Sequence, residues 1–589
     1  MPLRPGERIT VTVPAVSPVQ RAWTLREPKS DPDALAESLG LSPLLARLLA
    51  NRGVTPEVAS PWLEPSLRAL PDPRQMTDMD VAVERTLRAL DGGERIVVHG
   101  DYDVDGCTST AVLVHFLRRV GADVGWYAPH RLRDGYGIQV HTMERLADEG
   151  AKLVITCDNG TSAHEAIAAG NARGVDTLVI DHHRLPQELP EACALLNPKR
   201  DGDGNPFEDL AAVGVSFLYA VAVRARLREL GRFVGRAEPD LREYLEIVAL
   251  GTVADLAPLR GVNRILVSAG LRLMGRRRHL GVNSLLEVAR IEDGEPVLAS
   301  HLGFQLGPRI NAAGRLDEAS HAVELLLSEH PDEARRLAER LDATNKQRRS
   351  LEQQVWDDSL RQAEPLVEQG SGGLVLWSAD WHPGVIGIVA SKVMRHFHRP
   401  ALLLSLRDGK AVGSGRCIPG IDLFSVLEKY DHLFERWGGH RAAAGVTLLE
   451  ERLEELRETF LHEAFADAAE DAWEPQTLVD AEIDLSEVDW GLHEALSKLA
   501  PFGLGNAEPC FVARGLRPLG PKLLAGGRGI RMRLRGDRGP AVTALGWGLG
   551  VDEATLPDRI DAAFSLQVNH WRGRSELELR LREIRPSSI

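Results

Sequence analysis

The chain has 589 residues, of which 43% are hydrophobic and 26% charged, and its formal net charge is −15. This length exceeds what one hydrophobic core supports and predicts roughly three or four domains. The negative net charge excludes a protein whose whole surface is basic, although an acidic protein can still contain a basic groove that binds nucleic acid. Five scattered cysteines without CxxC spacing predict a reduced cytosolic protein without structural zinc, and no apolar run approaches the ~18 residues that span a bilayer.

Residues 1–77 are predicted to form an N-terminal extension, to which no chemistry is assigned. Leucines between Leu35 and Leu49 recur at helical spacing, with a break near Gly40, and prolines punctuate residues 56–73.

Residues 78–330 are predicted to form one domain. From residue 78 to about residue 257 strand and helix patterns alternate, which predicts an α/β fold with a parallel sheet covered on both faces. The predicted strands are residues 96–98, 123–127, 153–156 and 178–180, and the apolar run 246–254 is placed in the same sheet. Ligands bind at the carboxyl ends of strands in open α/β sheets, so polar residues that follow these runs are the candidate site.

The first such cluster is the stretch HGDYDVDGCT at residues 99–108. It places Asp101, Asp103 and Asp105 on a strand-to-helix turn. Like charges this close repel unless a cation joins them, and oxygen-rich sites suit Mg²⁺ or Mn²⁺. The alternatives for this motif alone are a calcium-type turn or a solvated acidic loop.

Three further clusters follow apolar runs: Asp158 in CDNG, His182 and His183 in DHH, and Asp255 after the run 246–254. A lone histidine pair is more often a surface or core feature, but its position after a buried strand favours a ligand. Carboxylates with one imidazole suit Mn²⁺ and are compatible with Mg²⁺. Two such ions ~3.5–4 Å apart can clamp the attacking and leaving oxygens of a phosphoryl transfer.

These four clusters resemble the motifs of the DHH phosphoesterase superfamily. GPRINAAGR at 307–315, WHPGVIG at 381–387 and GGHRAAAG at 438–445 resemble its single-strand-specific exonucleases, and the similarity runs from about residue 78 to the C-terminus. Arg441 departs from this pattern, because relatives often carry a smaller residue there.

The resemblance implies metal ligation by Asp103, Asp105, Asp158, His182 and Asp255, with Asp158 as the bridging carboxylate. It leaves two alternatives for the first ion: His99, four residues before Asp103, as a ligand, or Asp101 acting through water. His183 is predicted to contact the scissile phosphate or to aid acid–base chemistry; the alternative is a packed histidine that supports a ligand. Asp158, His183 and Asp101 are thus the predicted catalytic residues.

Two regions follow this domain. Residues 331–370 are predicted to form one or two long connecting helices, whose polar segment 345–349 is either a solvated face or part of a spacer between domains. Residues 371–466 are predicted to form a smaller α/β domain, the DHHA1 domain of the resembling family, with glycine-rich turns and a helix start that favour phosphate. The predicted DNA contacts are Arg131, Arg309, Asn311, Arg315, His382, Ser391, Lys392, Arg416 and His440.

Residues 467–589 contain short alternating segments that predict a small β-barrel, which in the resembling family is an OB-fold that grips single strands. Arg531, Arg533 and Arg535 alternate with apolar residues and are predicted DNA contacts. The alternative is an ordinary half-buried barrel whose charges face water. Residues 501–506 are predicted to be a hinge-like entry to it.

The resemblance therefore implies a 5′-to-3′ exonuclease on single-stranded DNA that uses two Mn²⁺ or Mg²⁺ ions, releases mononucleotides and acts in DNA repair and recombination. The residues themselves argue only for metal-assisted phosphodiester hydrolysis. The implied partners are single-stranded DNA with a free 5′ end, a single-strand-binding protein and a helicase, with no membrane.

Two alternatives remain open at this point. A phosphodiesterase for short oligonucleotides or cyclic dinucleotides needs no extended grip, so the barrel counts against it. A non-catalytic replication scaffold of the same fold could lose ligands, whereas the predicted ligand set is complete.

Overall fold

A computed structural model describes residues 21–588, except residues 132, 525, 526, 528, 552–555, 572 and 573. The chain divides into two units. The first unit contains Val54–Leu351 and Lys498–Glu508, and the second contains the described residues up to Gly53, Glu352–Ser497 and the residues from Pro509 onward.

The N-terminal part of the second unit has one strand and two helices: β1 (Ala22–Leu25), α1 (Pro32–Leu39) and α2 (Pro43–Ala50). The side chains of Asp31 and Ser42 cap the two helices, and each helix has proline in its first turn. β1 pairs in parallel with residues 476–479, and Trp23 Nε1 donates to Glu583 Oε2 at 2.8 Å. This N-terminal segment therefore packs with residues more than 400 positions later.

The first unit is built on five parallel strands: β2 (Arg95–His99), β3 (Val124–Tyr127), β4 (Ala151–Cys157), β5 (Asp176–Ile180) and β6 (Ala194–Leu196). Their order in the sheet is β3-β2-β4-β5-β6. The predicted parallel sheet is confirmed, and β6, a short run of three residues, is an additional strand.

Helices cover both faces of this sheet, which explains why its strands are continuously apolar. The helices are α3 (Pro56–Leu63), α4 (Met79–Gly92), α5 (Val104–Val120), α6 (Val140–Asp148), α7 (His164–Ala172), α8 (Ala212–Glu229), α9 (Leu245–Ala254), α10 (Gly261–Met274), α11 (Leu280–Val288), α12 (Ala299–His301), α13 (Gly307–Leu316) and α14 (Ser320–Leu327). A π-helix, Leu302–Leu306, joins α12 to α13. Val98 and Ile155 pack in a large core that includes Leu250, and Val97 and Val154 pack on the other face against Met143.

The apolar run before Asp255 is a helix, α9, so its placement in the sheet was wrong. Residues Leu245–Val253 are all buried, which removes the amphipathic pattern by which a helix is recognised. A helix buried on all sides and a buried strand have the same continuous apolar sequence.

A single helix of 38 residues, α15 (Pro331–Glu368), follows, which settles the choice between one and two connecting helices. The boundary between the two units falls within it, after Leu351.

The second unit contains a mixed sheet in the order β10-β11-β9-β8-β7, in which only β7 and β8 are parallel. Its elements are β7 (Leu374–Ser378), α16 (Pro383–Phe397), β8 (Ala401–Arg407), β9 (Lys410–Arg416), α17 (Leu423–Lys429), β10 (Arg436–His440), β11 (Ala443–Leu449) and α18 (Leu453–His462). The predicted smaller α/β domain is confirmed.

The C-terminal part of the second unit is a closed barrel. Outside the barrel sheet lie β12 (Gln476–Val479), which pairs with β1, and α19 (Trp490–Ser497). The barrel sheet contains β13 (Ala481–Glu482), β14 (Phe511–Leu524), β15 (Gly529–Arg535), β16 (Val542–Trp547), β17 (Ile560–Trp571) and β18 (Arg574–Pro586). The strands run β14-β15-β16-β18-β17, and β17 pairs back with β14. Ile530, Met532 and Leu534 point into the barrel, as the alternation predicts.

Short 3₁₀ helices occur at Leu67–Ala69, Pro73–Gln75, Pro198–Asp201, Leu241–Tyr244, Asp431–Leu433, Glu450–Arg452, Glu470–Trp473 and Leu485–Glu487. None of the helices in the described ranges combines the length and apolar character needed to cross a bilayer.

Candidate metal centre

The first acidic cluster lies where β2 ends and α5 begins. Asp103 is the N-cap of α5, and its Oδ1 accepts a hydrogen bond from Gly106 N at 3.1 Å. Asp105 lies in the first turn and is 1% exposed; its two carboxylate oxygens accept from the backbone N–H groups of Ala212 and Val213 at 2.7 and 2.9 Å. Two amides at the start of α8 thus fix the Asp105 carboxylate. Burial raises the pKa of Asp105 to about 7, and the charge of Asp103 adds to this.

Asp158 follows β4 in a left-handed backbone conformation, with φ of +63°. Non-glycine residues adopt this conformation rarely, and it recurs at functional sites. The Tyr136 hydroxyl donates to the Asp158 backbone carbonyl at 3.1 Å. Burial, with the neighbouring charge of Asp103, raises the pKa of Asp158 well above its ordinary value.

His182 joins the carboxylates of three different elements. Its Nε2 lies 3.1 Å from Asp158 Oδ1 and 3.7 Å from the nearest carboxylate oxygens of both Asp105 and Asp255. Asp255 is the C-cap of α9, and burial, followed by the charges of Asp105 and Asp103, raises its pKa to about 9. Such mutual repulsion is the condition that a divalent cation relieves.

All five predicted ligands lie in groups whose donor atoms are within 4.8 Å of one another. The groups are Asp105 with His182 and Asp255; Asp101 with Asp103 and Asp158; and Asp158 with His182 and His183. Asp158 and His182 each occur in two of these groups, and the bridging role of Asp158 stays a prediction. Carboxylate oxygens with an imidazole nitrogen form a donor set that fits Mn²⁺ and Mg²⁺.

Asp101 and His99, the two alternatives for the first ion, lie in different surroundings. The described residues place Asp101, but not His99, in one of the ligand groups. Asp101 is 2% exposed, and its Oδ1 is buried without a hydrogen-bond partner among the described residues. His99 is fully buried beside Tyr127, both ring nitrogens lack a partner within the described chain, and burial lowers its pKa to about 4. Metal contact by either residue stays a prediction.

His183 is held by a residue that sequence reasoning missed, Asp181. The Nδ1 atom of His183 lies 2.7 Å from Asp181 Oδ1, and the other Asp181 oxygen accepts from Thr161 N at 3.0 Å. The Tyr136 ring meets the His183 ring edge to face, with centroids 5.9 Å apart. Burial acts to lower the pKa of His183, but the hydrogen bond and charge of Asp181 outweigh it, so this pKa is raised. The only sequence signal for Asp181 was its place directly before the histidine pair.

A cavity of about 240 Å³ opens beside the acids, lined by Asp101, Tyr102, Asp103, Arg131, Tyr136, Asn311, Gly314 and Arg315. It brings three of the predicted DNA contacts, Arg131, Asn311 and Arg315, to the edge of the metal centre. A cavity lined by two carboxylates and two guanidinium groups suits a phosphate bound through cations.

Arg309 lies elsewhere in the same unit and is 7% exposed. Its guanidinium donates to Asp342 Oδ1 at 3.0 Å and to the carbonyls of Gln305 and Val288 at 2.6 and 3.3 Å. Because these three partners already bind the Arg309 guanidinium, the geometry does not favour the predicted contact between Arg309 and DNA.

In the second unit, several predicted contacts lie around α16. His382 is its N-cap and accepts from Gly384 N at 3.0 Å, and Ser391 Oγ donates to Gly387 O at 3.2 Å. Arg416 donates to Ser414 Oγ at 2.8 Å, and a Cβ at Gly387 would meet both of these side chains within 3.2 Å. Lys392, also on α16, forms an ion pair with Glu352. His440 is exposed at the end of β10.

The three barrel arginines, Arg531, Arg533 and Arg535, are exposed on one face of β15. The neighbouring strands add Lys522 opposite Arg531, Arg517 opposite Arg535, and the half-exposed Trp547 opposite Gly529. Directly opposed residues share a face of a sheet. Sequence reasoning missed these neighbours, because the pairing of strands decides which side chains join the arginines.

Comparisons with known proteins match each part of this architecture. The family models that match are the DHH family N-terminal domain (residues 95–252), the DHHA1 domain (370–465) and the RecJ OB domain (479–583). The single-stranded-DNA-specific exonuclease RecJ of Dickeya dadantii is 40% identical over 565 residues, which cover 93% of this chain and 96% of that protein. The Escherichia coli RecJ is 36% identical over 93% and 96% of the two chains.

A crystal structure of RecJ in complex with Mn²⁺ from Thermus thermophilus superimposes with a TM-score of 0.81 at 30% identity. The match covers 97% of this chain and 80% of that one. The Mg²⁺ complex of the same protein gives a TM-score of 0.76 at 29% identity, covering 97% and 79%.

Proposed function

Because the chain belongs to the RecJ family of single-stranded-DNA-specific exonucleases, we propose that it removes nucleotides from the 5′ end of single-stranded DNA by metal-dependent hydrolysis. The observation that carries this function is the convergence of four carboxylates and His182 within one site, beside a cavity lined by Arg131 and Arg315. The products are mononucleotides, and the activity serves DNA repair and recombination.

Asp103, Asp105, Asp158, His182 and Asp255 would hold two divalent ions, Mn²⁺ or Mg²⁺, and Asp158 is the proposed bridging carboxylate. When bound, such a pair activates water and offsets charge on the scissile phosphate and the leaving oxygen. The protein holds these ligands rigidly: amides fix Asp105, the Tyr136 hydroxyl fixes the backbone of Asp158, and the cap of α5 fixes Asp103.

His183 acts directly on the substrate. Its Nδ1 is bound by Asp181, so Nε2 is the ring nitrogen left to meet the phosphate or to donate a proton to the leaving oxygen. Its side chain is 45% exposed, which leaves room for that contact. Asp101 supports the ion nearest Asp103, through a water molecule or directly, and His99 is the alternative.

The remaining predicted contacts hold the DNA backbone rather than read bases. Arg131, Asn311 and Arg315 serve the phosphate at the metal centre. The other members of this set are His382, Ser391, Lys392 and Arg416 around α16, His440 at the end of β10, and Arg531, Arg533 and Arg535 on the barrel. Arg309 must release Asp342 before it can join them.

We further propose that these tasks follow the predicted division of the chain: catalysis in residues 78–330, a spacer in 331–370, grip on the strand end in 371–466 and grip on the body of the strand in 467–589. A single-strand-binding protein and a helicase are proposed partners, since a strand-specific nuclease needs duplex opened for it. The proposed location is the cytoplasm.

The test is digestion of strands labelled at either end. A 5′-labelled single strand should release labelled mononucleotide at once in Mn²⁺ or Mg²⁺, whereas a 3′-labelled strand should shorten progressively, and EDTA should stop both. A blunt duplex is the control and should resist. Rapid release of label from the 3′ end, or a preference for dinucleotides over long strands, would reject this function in favour of the other polarity or a short-oligonucleotide phosphodiesterase.

A further inference from the structure

Residues 498–508 lie between α19 and barrel strand β14 in the chain, yet they belong to the first unit. The hinge predicted at 501–506 is instead a tight turn, in which Gly503 N donates to Asn506 O at 2.9 Å and Asn506 N donates to Gly503 O at 3.2 Å. The Asn506 side chain is 2% exposed and donates to the carbonyls of Leu499 and Pro501, both at 2.8 Å. Because this turn is closed by its own buried hydrogen bonds, it is a rigid piece of the first unit. We call residues 498–508 the strap.

The strap packs on the loop that follows Asp255. Leu259 N donates to Leu504 O at 2.7 Å. A Cβ at Gly503 would lie 2.7 Å from Leu259 Cδ1, and one at Gly505, whose φ is +75°, would lie 3.0 Å from Pro258 Cβ. The strap therefore approaches this loop so closely that glycine is required at Gly505 for both conformation and space.

Helix α10 holds the other end of the strap. Arg264, 2% exposed, donates from Nη1 to Leu499 O at 3.1 Å and from Nη2 to Lys498 O at 3.3 Å. Its guanidinium also lies 3.7 Å from the centroid of the Trp62 ring and donates to Trp62 O at 2.8 Å. A buried guanidinium that donates to three backbone carbonyls fixes the positions of those backbone segments. The strap is thus anchored at both ends against the segment from Pro258 to α10.

Asp255 stands at the beginning of this segment. It is the C-cap of α9, Leu256 follows with φ of +60°, and Ala257 N donates to Thr252 O at 3.2 Å. Two residues later the chain meets the strap at Leu259. Asp255 therefore lies between helix α9, which it caps, and the loop at Pro258 and Leu259 that the strap contacts.

We propose that the strap is a positioning element for Asp255, and that residues outside every metal-binding motif set the affinity of the metal centre. This inference rests on the proposed role of Asp255 as a metal ligand. It assigns Gly505 and Gly503 an effect on metal binding, although neither touches a ligand.

The test compares Gly505→Ala with Gly520→Ala in the full chain. Both positions have positive φ, but Gly520 has no atom within 4 Å of an added Cβ, so it controls for backbone strain alone. We measure Mn²⁺ binding from the signal of free Mn²⁺ in electron paramagnetic resonance. Gly505→Ala should weaken binding about tenfold, as changes to groups that support metal ligands do, and Gly520→Ala should bind as wild type. Excess Mn²⁺ should restore much of the hydrolysis by Gly505→Ala.

Two more variants make the outcome decisive. Gly503→Ala meets only the flexible end of Leu259 and should give a smaller loss of Mn²⁺ affinity with a wild-type melting temperature, even where Gly505→Ala lowers stability. Asp255→Asn should weaken Mn²⁺ binding more than either. If Asp255→Asn binds Mn²⁺ as wild type, the proposed ligand role fails; if Asp255→Asn binds weakly while folded Gly503→Ala and Gly505→Ala bind normally, the strap inference alone is overturned.

Discussion

Single residues in this site are held in place by hydrogen bonds from neighbouring side chains and backbone amides. Asp181 is the clearest case, because it is 1% exposed, accepts the Thr161 amide and holds His183 by a hydrogen bond of 2.7 Å. A histidine whose Nδ1 is fixed in this way presents one defined nitrogen to its substrate. The orientation of His183 is therefore a property of the DHH turn as a whole.

Asp181→Asn should reduce kcat about a hundredfold, the lower end of what a positioned acid–base group contributes. Asparagine keeps the size of the side chain but loses the charge that holds His183. The affinity for single-stranded DNA should hardly change, because Asp181 is not one of the residues proposed to contact the DNA backbone. Steady-state kinetics with a labelled short strand in Mn²⁺ measures the effect.

Asp123→Asn is the matched control, because Asp123 lies just before β3 of the same sheet, 60% exposed and 3.8 Å from Arg95. It should cleave as wild type. Wild-type kcat from Asp181→Asn would mean that His183 needs no such partner and that its proposed role is wrong.

At the scale of elements, strand pairing assembles the basic face of the barrel from side chains that are separate in sequence. β15 contributes Arg531, Arg533 and Arg535, and its partner β14 adds Lys522 and Arg517. An exposed row of cations, with Trp547 at one end, suits a single strand whose phosphates are neutralised and whose bases stack.

Replacing Arg531, Arg533 and Arg535 together by alanine should weaken binding to all single strands alike. Each lost phosphate contact should reduce the slope of log K against log salt by ~0.7, so the full change is about two units. The cleavage rate on a saturating short strand should stay the same, because the metal centre is untouched. Fluorescence anisotropy over a range of salt concentrations gives the slope.

Arg514→Ala is the control for this series, since Arg514 is another exposed barrel arginine but is paired with Glu482 at 3.0 Å and Asp561 at 3.3 Å. Its slope should equal that of wild type. An unchanged slope in the triple variant would place the three arginines away from DNA, and the ordinary half-buried barrel would be the correct interpretation.

Element patterns also show what the sequence could predict. The strand at Ile96 to Val98 was recognisable because a parallel strand buried on both faces is continuously apolar. The strand at Ile530 to Arg535 was recognisable because apolar and charged residues alternate along a barrel strand. The prediction for the segment that forms helix α9 was wrong for the same physical reason that the prediction of the buried strand was right: both segments are continuously apolar. The residues of α9 are buried all round, so its period disappears.

At the scale of the whole molecule, short motifs predict which acids and histidines lie together, but not the groups that hold them. The five predicted ligands lie within motifs a few residues long, whereas the groups that hold them come from distant positions. Asp105 is fixed by amides 107 and 108 residues away, and the segment after Asp255 by Leu504. The same limit explains why the DNA contact predicted for Arg309 is not favoured. Its guanidinium binds Asp342, which lies 33 residues later and could not be identified as its partner from the sequence. Such contacts depend on the fold and leave no short pattern.

The central claim is that carboxylates which repel one another are joined by divalent ions shared at Asp158. The Asp158→Asn variant tests it most directly. Removing one buried negative charge should leave the protein folded, with an unchanged or higher melting temperature in EDTA, because repulsion among the acids decreases. The variant should still bind single strands, and it should lose hydrolysis in both Mn²⁺ and Mg²⁺ together with one of the two bound ions. Substantial nuclease activity in the purified variant, with contaminating nucleases excluded and two Mn²⁺ ions still bound, would contradict the account.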